Sequence, residues 1–109
     1  MSTTTAWIVL TIAGVLEFLW ATGLKYSEGF TKFWPSAITL VLMGISFYLL
    51  SLSMKVLPIG IAYTVWTGIG AVGAIVIGTV VFKEPLSLLK LVFLAMIVGG
   101  IIGLKFTEA

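Results

Sequence analysis

One acidic residue stands where a charge is expensive. Glu17 lies inside the otherwise uncharged run from Ala6 to Leu24, and an ionisable side chain at the centre of a bilayer span costs about 2.5–3.5 kcal/mol on insertion scales. No lysine falls within one helical turn of it. Lys25, eight residues on, sits about 12 Å further along a helix axis, so no intrahelical ion pair neutralises the acid. Intramembrane acids face a cavity or a bundle interior and mark ion or proton paths. A carboxyl group holds a proton or a cation, but not both at once. That competition is the minimum physics of a proton-coupled cation antiporter, and it makes Glu17 the candidate site for both. The other reading of Glu17 is a protonated acid bonded to a neighbouring helix as structural glue.

Several side chains along the apolar runs could serve such a site. Trp20, at i+3, lies on the Glu17 face, and the small residues Gly14 and Ala21 flank it, leaving space or allowing close helix approach. In the second apolar run Thr39, Ser46 and Ser53 repeat every seven residues with Met43 between; this stripe is either a polar lining or a seam of interhelical hydrogen bonds, and only Ser46 is at mid-depth. Tyr63 and Trp66 in the third run are again i and i+3. Indole and phenol can hold a cation on their faces and hydrogen-bond a carboxylate; Tyr63 could equally be an interfacial anchor. Gly68, Gly70 and Gly73 follow closely on Trp66. They permit bending, as a hinge would, or tight helix packing. Gly99 and Gly103 form a Gly-x-x-x-Gly helix-association face in the fourth run.

These residues need helices that cross a membrane, and the composition demands the same. The chain has 109 residues, 61% hydrophobic and only 9% charged, with six lysines and four glutamates; its mean hydropathy is +1.25. A water-soluble domain carries roughly 25% charged residues. An ordinary soluble enzyme, a disordered tail and a nucleic-acid binder are therefore excluded, and the lysines are too scattered to form a basic patch. His, Cys, Asp, Arg, Asn and Gln are all missing. That removes disulfides, most metal sites and the familiar catalytic triads. The chain reads as a non-enzyme with no metal or cofactor.

The charges cut the sequence into lengths of about 20 residues, the span of a bilayer. Four transmembrane helices are predicted over about 6–24, 33–54, 58–82 and 86–104, forming one all-α domain over 1–109. The short connectors Lys25–Lys32, Lys55–Leu57 and Lys83–Pro85 contain or adjoin Gly29, Pro58 and Pro85. Four lysines (Lys25, Lys32, Lys83, Lys90) fall on one side, against Lys55, Lys105 and the N-terminus on the other. This weak bias is compatible with one orientation or with insertion both ways. The start of the chain has neither the lysine nor the uninterrupted apolar run of a signal peptide.

Taken together, the residues closely resemble the small multidrug resistance family, and within it the guanidinium-exporter subtype. The resemblance covers nearly the whole chain. It is strongest in Leu16-Glu17-Phe18-Leu19-Trp20-Ala21, Gly23-Leu24-Lys25-Tyr26-Ser27-Glu28-Gly29-Phe30, Leu57-Pro58-Ile59-Gly60-Ile61-Ala62-Tyr63, Val65-Trp66-Thr67-Gly68-Ile69-Gly70-Ala71-Val72-Gly73 and Gly103-Leu104-Lys105. Trp20, with Gly14, Met43, Ala71 and Lys105, looks like the guanidinium type. The resemblance implies an antiparallel, dual-topology homodimer working by alternating access in the inner membrane of a prokaryote. It implies that Glu17 binds proton and substrate, that Trp20, Ser46 and Trp66 surround it, and that Tyr63 is an aromatic switch beside it. It further implies that Gly68 and Gly70 bend the third span and that the fourth carries the dimer contact. Thr64 departs from the usual Ala and bears on substrate range.

The expected function is proton-coupled export of guanidinium and small substituted guanidinium ions. The partners are those cations, protons, the lipid bilayer and a second copy of the chain. The alternatives are a broader exporter of quaternary-ammonium and other hydrophobic cations, a dual-topology ion channel, or a structural membrane subunit.

Overall fold

The computed structural model describes residues 1–107 and consists of four long helices: α1 (Thr3–Tyr26), α2 (Phe33–Ser53), α3 (Ile59–Val80) and α4 (Leu88–Thr107). Each is long and apolar enough to cross a bilayer. At 1.5 Å per residue they run about 30–36 Å, the thickness of a hydrocarbon core.

Their ends differ from the predicted ones by up to three residues, because helices end at caps and not where charges begin. The Ser2 hydroxyl accepts a hydrogen bond from the Thr5 N–H at 3.1 Å and starts α1 early. Tyr26 lies past Lys25, and α1 stops only at Ser27. That buried hydroxyl donates to the Leu24 carbonyl at 2.7 Å and accepts from the Phe30 N–H at 3.1 Å. The chain then reverses through Glu28, Gly29 and Phe30, all with left-handed backbone. Pro58 immediately precedes α3, and Ser87 caps α4 by accepting from the Lys90 N–H at 3.2 Å, so α4 starts two residues later than predicted. It runs on through Lys105, whose long side chain can snorkel.

α1 is the central helix. It packs against α2 on one flank and α3 on the other, whereas the backbone of α4 runs close to that of α3 alone. Small residues set these approaches. A side chain at Gly14 would strike Ile69 across α1 and α3, one at Gly23 would strike Thr39 across α1 and α2, and one at Gly68 would strike Ile101 across α3 and α4. Around α1 gather the buried Ala6, Trp7, Leu10, Ala13, Leu50, Leu57, Ala62, Val65 and Trp66. α4 has no buried residue. The whole is a slab measuring 41 × 35 × 16 Å. Its smallest dimension is less than two helix diameters of about 10–12 Å.

Candidate functional site

Glu17 projects from α1 toward α3, and Gly70 makes room for it. A Cβ at Gly70 would fall within the Glu17 carboxyl group. Gly70 is itself buried. Glu17 Oε2 is sealed from the surface and has no hydrogen-bond partner, and the ion pairs among the described residues, Lys25–Glu84 and Lys32–Glu28, do not include Glu17. A buried carboxyl oxygen without a partner is rare and costly. Glue would require it to be bonded to a neighbouring helix; among the described residues, no such bond is made.

One turn before Glu17 and one turn before Gly70, the three helices are joined by hydrogen bonds. Trp66 Nε1 on α3 donates to Ser46 Oγ on α2 at 3.0 Å, and Ser46 Oγ donates to the Ala13 carbonyl on α1 at 2.7 Å. Trp66 and Ser46 are both buried. The rest of the Thr39–Ser46–Ser53 stripe faces inward as well, but its hydroxyls turn back on their own helix: Thr39 donates to the Pro35 carbonyl and Ser53 to the Leu50 carbonyl, each at 2.7 Å. Ser46 alone of the three crosses between helices.

Ser46→Ala should therefore be the costly member of the series. It leaves the Trp66 N–H buried and unbonded, a loss of about 1–3 kcal/mol, whereas Ser53→Ala strands no donor. Thermal unfolding in detergent would show it. Adding Trp66→Phe to Ser46→Ala should recover part of the loss, and strict additivity would argue against the bond.

Aromatic rings continue outward from this point. Trp20 meets Phe47 edge-on with ring centroids 6.1 Å apart, Phe47 meets Trp66 at 5.8 Å, and Trp66 meets Tyr63 at 5.7 Å. Trp20 Nε1 is buried without a partner, like the Glu17 oxygen. Phe47 was not among the expected residues: with no polar atom it carries no chemical signal, and only its place beside Ser46 marks it. Tyr63, 54% exposed, lies at the open edge of the row, on the surface of a single chain. The structure thus brings Trp20, Ser46, Tyr63 and Trp66 into one connected group on three helices, with Glu17 and Gly70 a turn away.

The glycines of α3 at Gly68, Gly70 and Gly73 are packing positions. α3 is unbroken through them. Gly68 receives Ile101, Gly70 receives Glu17, and Gly73 lies so close to Phe18 that a Cβ there would enter the ring. On α4 the positions differ in kind: a Cβ at Gly99, Gly100 or Gly103 would meet nothing within 4 Å. That glycine face has no neighbour among the described residues.

A carboxylate one helical turn from a row of tryptophan and tyrosine rings suits a compact organic cation. The rings attract positive charge through their π-faces, and a planar, forked donor such as guanidinium matches the two carboxylate oxygens.

Comparison with known proteins points to one family. The family model described as Small Multidrug Resistance protein matches residues 5–97. A protein of Yersinia pseudotuberculosis named guanidinium exporter is 57% identical over 103 residues, covering 94% of this chain and 99% of that protein. A guanidinium exporter of Proteus vulgaris is 55% identical over 103 residues, with the same coverage of both chains. One of Salmonella typhimurium is 54% identical over 102 residues, covering 94% of this chain and 97% of its own.

Proposed function

The chain belongs to the small multidrug resistance family, and from that premise we propose that it exports guanidinium and small substituted guanidinium ions in exchange for protons, by alternating access. It is a multi-pass membrane protein, placed by this reading in the inner membrane of a prokaryote, and its work is transport, without a cofactor. The observation that carries the proposal is the Glu17 carboxyl oxygen, sealed in a membrane span without a partner. A proton or a cation satisfies it, and each must leave before the other binds. Relatives named guanidinium exporter, at 54–57% identity over nearly the full length, supply the substrate class.

In this reading Trp20, Ser46 and Trp66 form the hydrogen-bonding surround and Tyr63 the switch beside it. Gly68 and Gly70 bend α3 between inward- and outward-open states. The functional unit is an antiparallel homodimer of oppositely inserted copies, with the glycine face of α4 at Gly99 and Gly103 as the dimer contact and both Glu17 residues at one shared site. The slab shape supports this pairing, since a layer 16 Å thick with no buried residue on α4 offers a broad face to a second copy. So does the bare Gly99–Gly103 face, as glycine faces draw helices together in membranes.

The test is uptake of guanidinium into liposomes held acidic inside. Outward proton flow should drive guanidinium inward beyond its equilibrium level, and dissipating the gradient should stop it. Passive flux indifferent to the gradient would instead indicate a channel. Growth assays separate the subtype: cells making the protein should tolerate raised guanidinium but gain no protection against bulky aromatic dye cations. Protection against the dyes alone would favour the broader multidrug reading.

A further inference from the structure

We propose that the groove between α1 and α4 is a binding site for an anionic phospholipid, with one acyl chain along its floor and the phosphate beside Lys105. The groove exists because α4 leans on α3 and leaves α1 uncovered on that side. Its volume is about 830 Å³, within the roughly 300–1,000 Å³ of pockets that hold whole small molecules.

The lining changes character from end to end. Thr3 and Thr4, in the first turn of α1, and Lys105, in the last turn of α4, stand at its outer end. Deeper in, the walls are aliphatic: Ile8, Ile12, Ile69 and Ile102. Thr11, the polar side chain at this depth, already donates its hydroxyl to the Trp7 carbonyl at 2.9 Å. From Thr3 to Ile12 the groove descends about 13 Å along α1, close to the roughly 15 Å of hydrocarbon in one leaflet. The Trp7 indole N–H lacks a partner but is sealed from the surface, so the exposed floor is apolar, and an acyl chain fits both its length and its chemistry.

The charge at the mouth selects the headgroup. Lys105 Nζ lies 5.6 Å from the centre of the Trp7 ring, and it forms no ion pair with an acid among the described residues. It is a cation held by an aromatic face at the level of lipid phosphates, as interfacial lysine and tryptophan are elsewhere. A second copy of the chain is a poorer occupant. Its helix would cover Lys105, and the one acid of the four spans is Glu17.

Tryptophan quenching by brominated lipids tests the site. The full-length protein is placed in phosphatidylcholine vesicles containing increasing brominated phosphatidylglycerol or brominated phosphatidylcholine. The difference between the wild-type and Trp7→Phe signals isolates Trp7. Half-quenching of Trp7 should need about fivefold less phosphatidylglycerol than phosphatidylcholine, the effect of one basic side chain at a membrane surface. Lys105→Gln should remove that preference and Lys105→Arg should keep it. Equal quenching by both lipids would reduce the groove to ordinary apolar filling and overturn the proposal. Trp7 quenched by neither lipid would mean that protein covers the groove, and would overturn it too. The outcome is independent of whether guanidinium is the substrate.

Discussion

Glu17→Gln is expected to abolish proton-driven guanidinium uptake while leaving a folded protein. Glutamine keeps the length and shape of the side chain, so it fits the gap that Gly70 leaves. It also removes the cost of a charge within a span, and stability in detergent should be equal to or above that of the wild type. What it cannot do is release a proton or neutralise a cation. Uptake should therefore fall to the level of protein-free liposomes, with the imposed pH gradient left unspent. Glu17→Asp keeps the chemistry but draws the carboxyl back toward α1, and partial activity is the expected result. A Gln variant that still exchanged guanidinium for protons would remove Glu17 from the mechanism. A silent Glu17→Ala would point to a structural subunit.

The second large effect is expected from a single methyl group. Gly70→Ala places its Cβ where the Glu17 carboxyl group now sits. The obstruction is a flexible side chain, which can swing aside at little cost in stability, but swinging aside takes the carboxyl out of its seat. Transport should drop severely while the unfolding temperature barely moves. Gly73→Ala supplies the contrast. There the Cβ enters the Phe18 ring, and a flat, rigid ring between two helices yields only if they part. Overpacking of this kind costs about 1–3 kcal/mol, so the main loss should be stability, partly restored by Phe18→Ala. Gly44→Ala, where nothing lies within 4 Å, serves as a control and should gain up to about 1 kcal/mol of helix propensity. Wild-type transport by Gly70→Ala would show that the Glu17–Gly70 fit does not matter to the cycle.

How much of this could be read from the chain depends on what made the signal. The four spans were legible because charges are costly in lipid, and the lysines and glutamates punctuate the helices. Glu17 was legible for the same reason in reverse. Ser46 and Trp66 declared themselves as polar groups at mid-depth. What hydropathy does not carry is which face meets which. In lipid a leucine gains nothing by turning from tails to protein, so helices apolar on all sides do not announce their neighbours. Phe47 was therefore invisible, as was the seat of Phe18 against Gly73. The glycines of α3 announced closeness but not partners, and nothing in the sequence foretold that the backbone of α4 would run close to that of α3 alone. Helix ends moved by up to three residues because Ser2, Ser27 and Ser87 decide them through hydrogen bonds that composition does not reveal.

The 16 Å slab has a consequence in genetics. If every working exporter is assembled from two copies around one site, an inactive copy does more harm than an absent one. A chain carrying Glu17→Gln still folds and still offers its α4 face, so it withdraws intact chains into mixed pairs. Expressed beside the wild-type gene, it should behave as a dominant negative, whereas a truncated chain lacking α4 should be recessive.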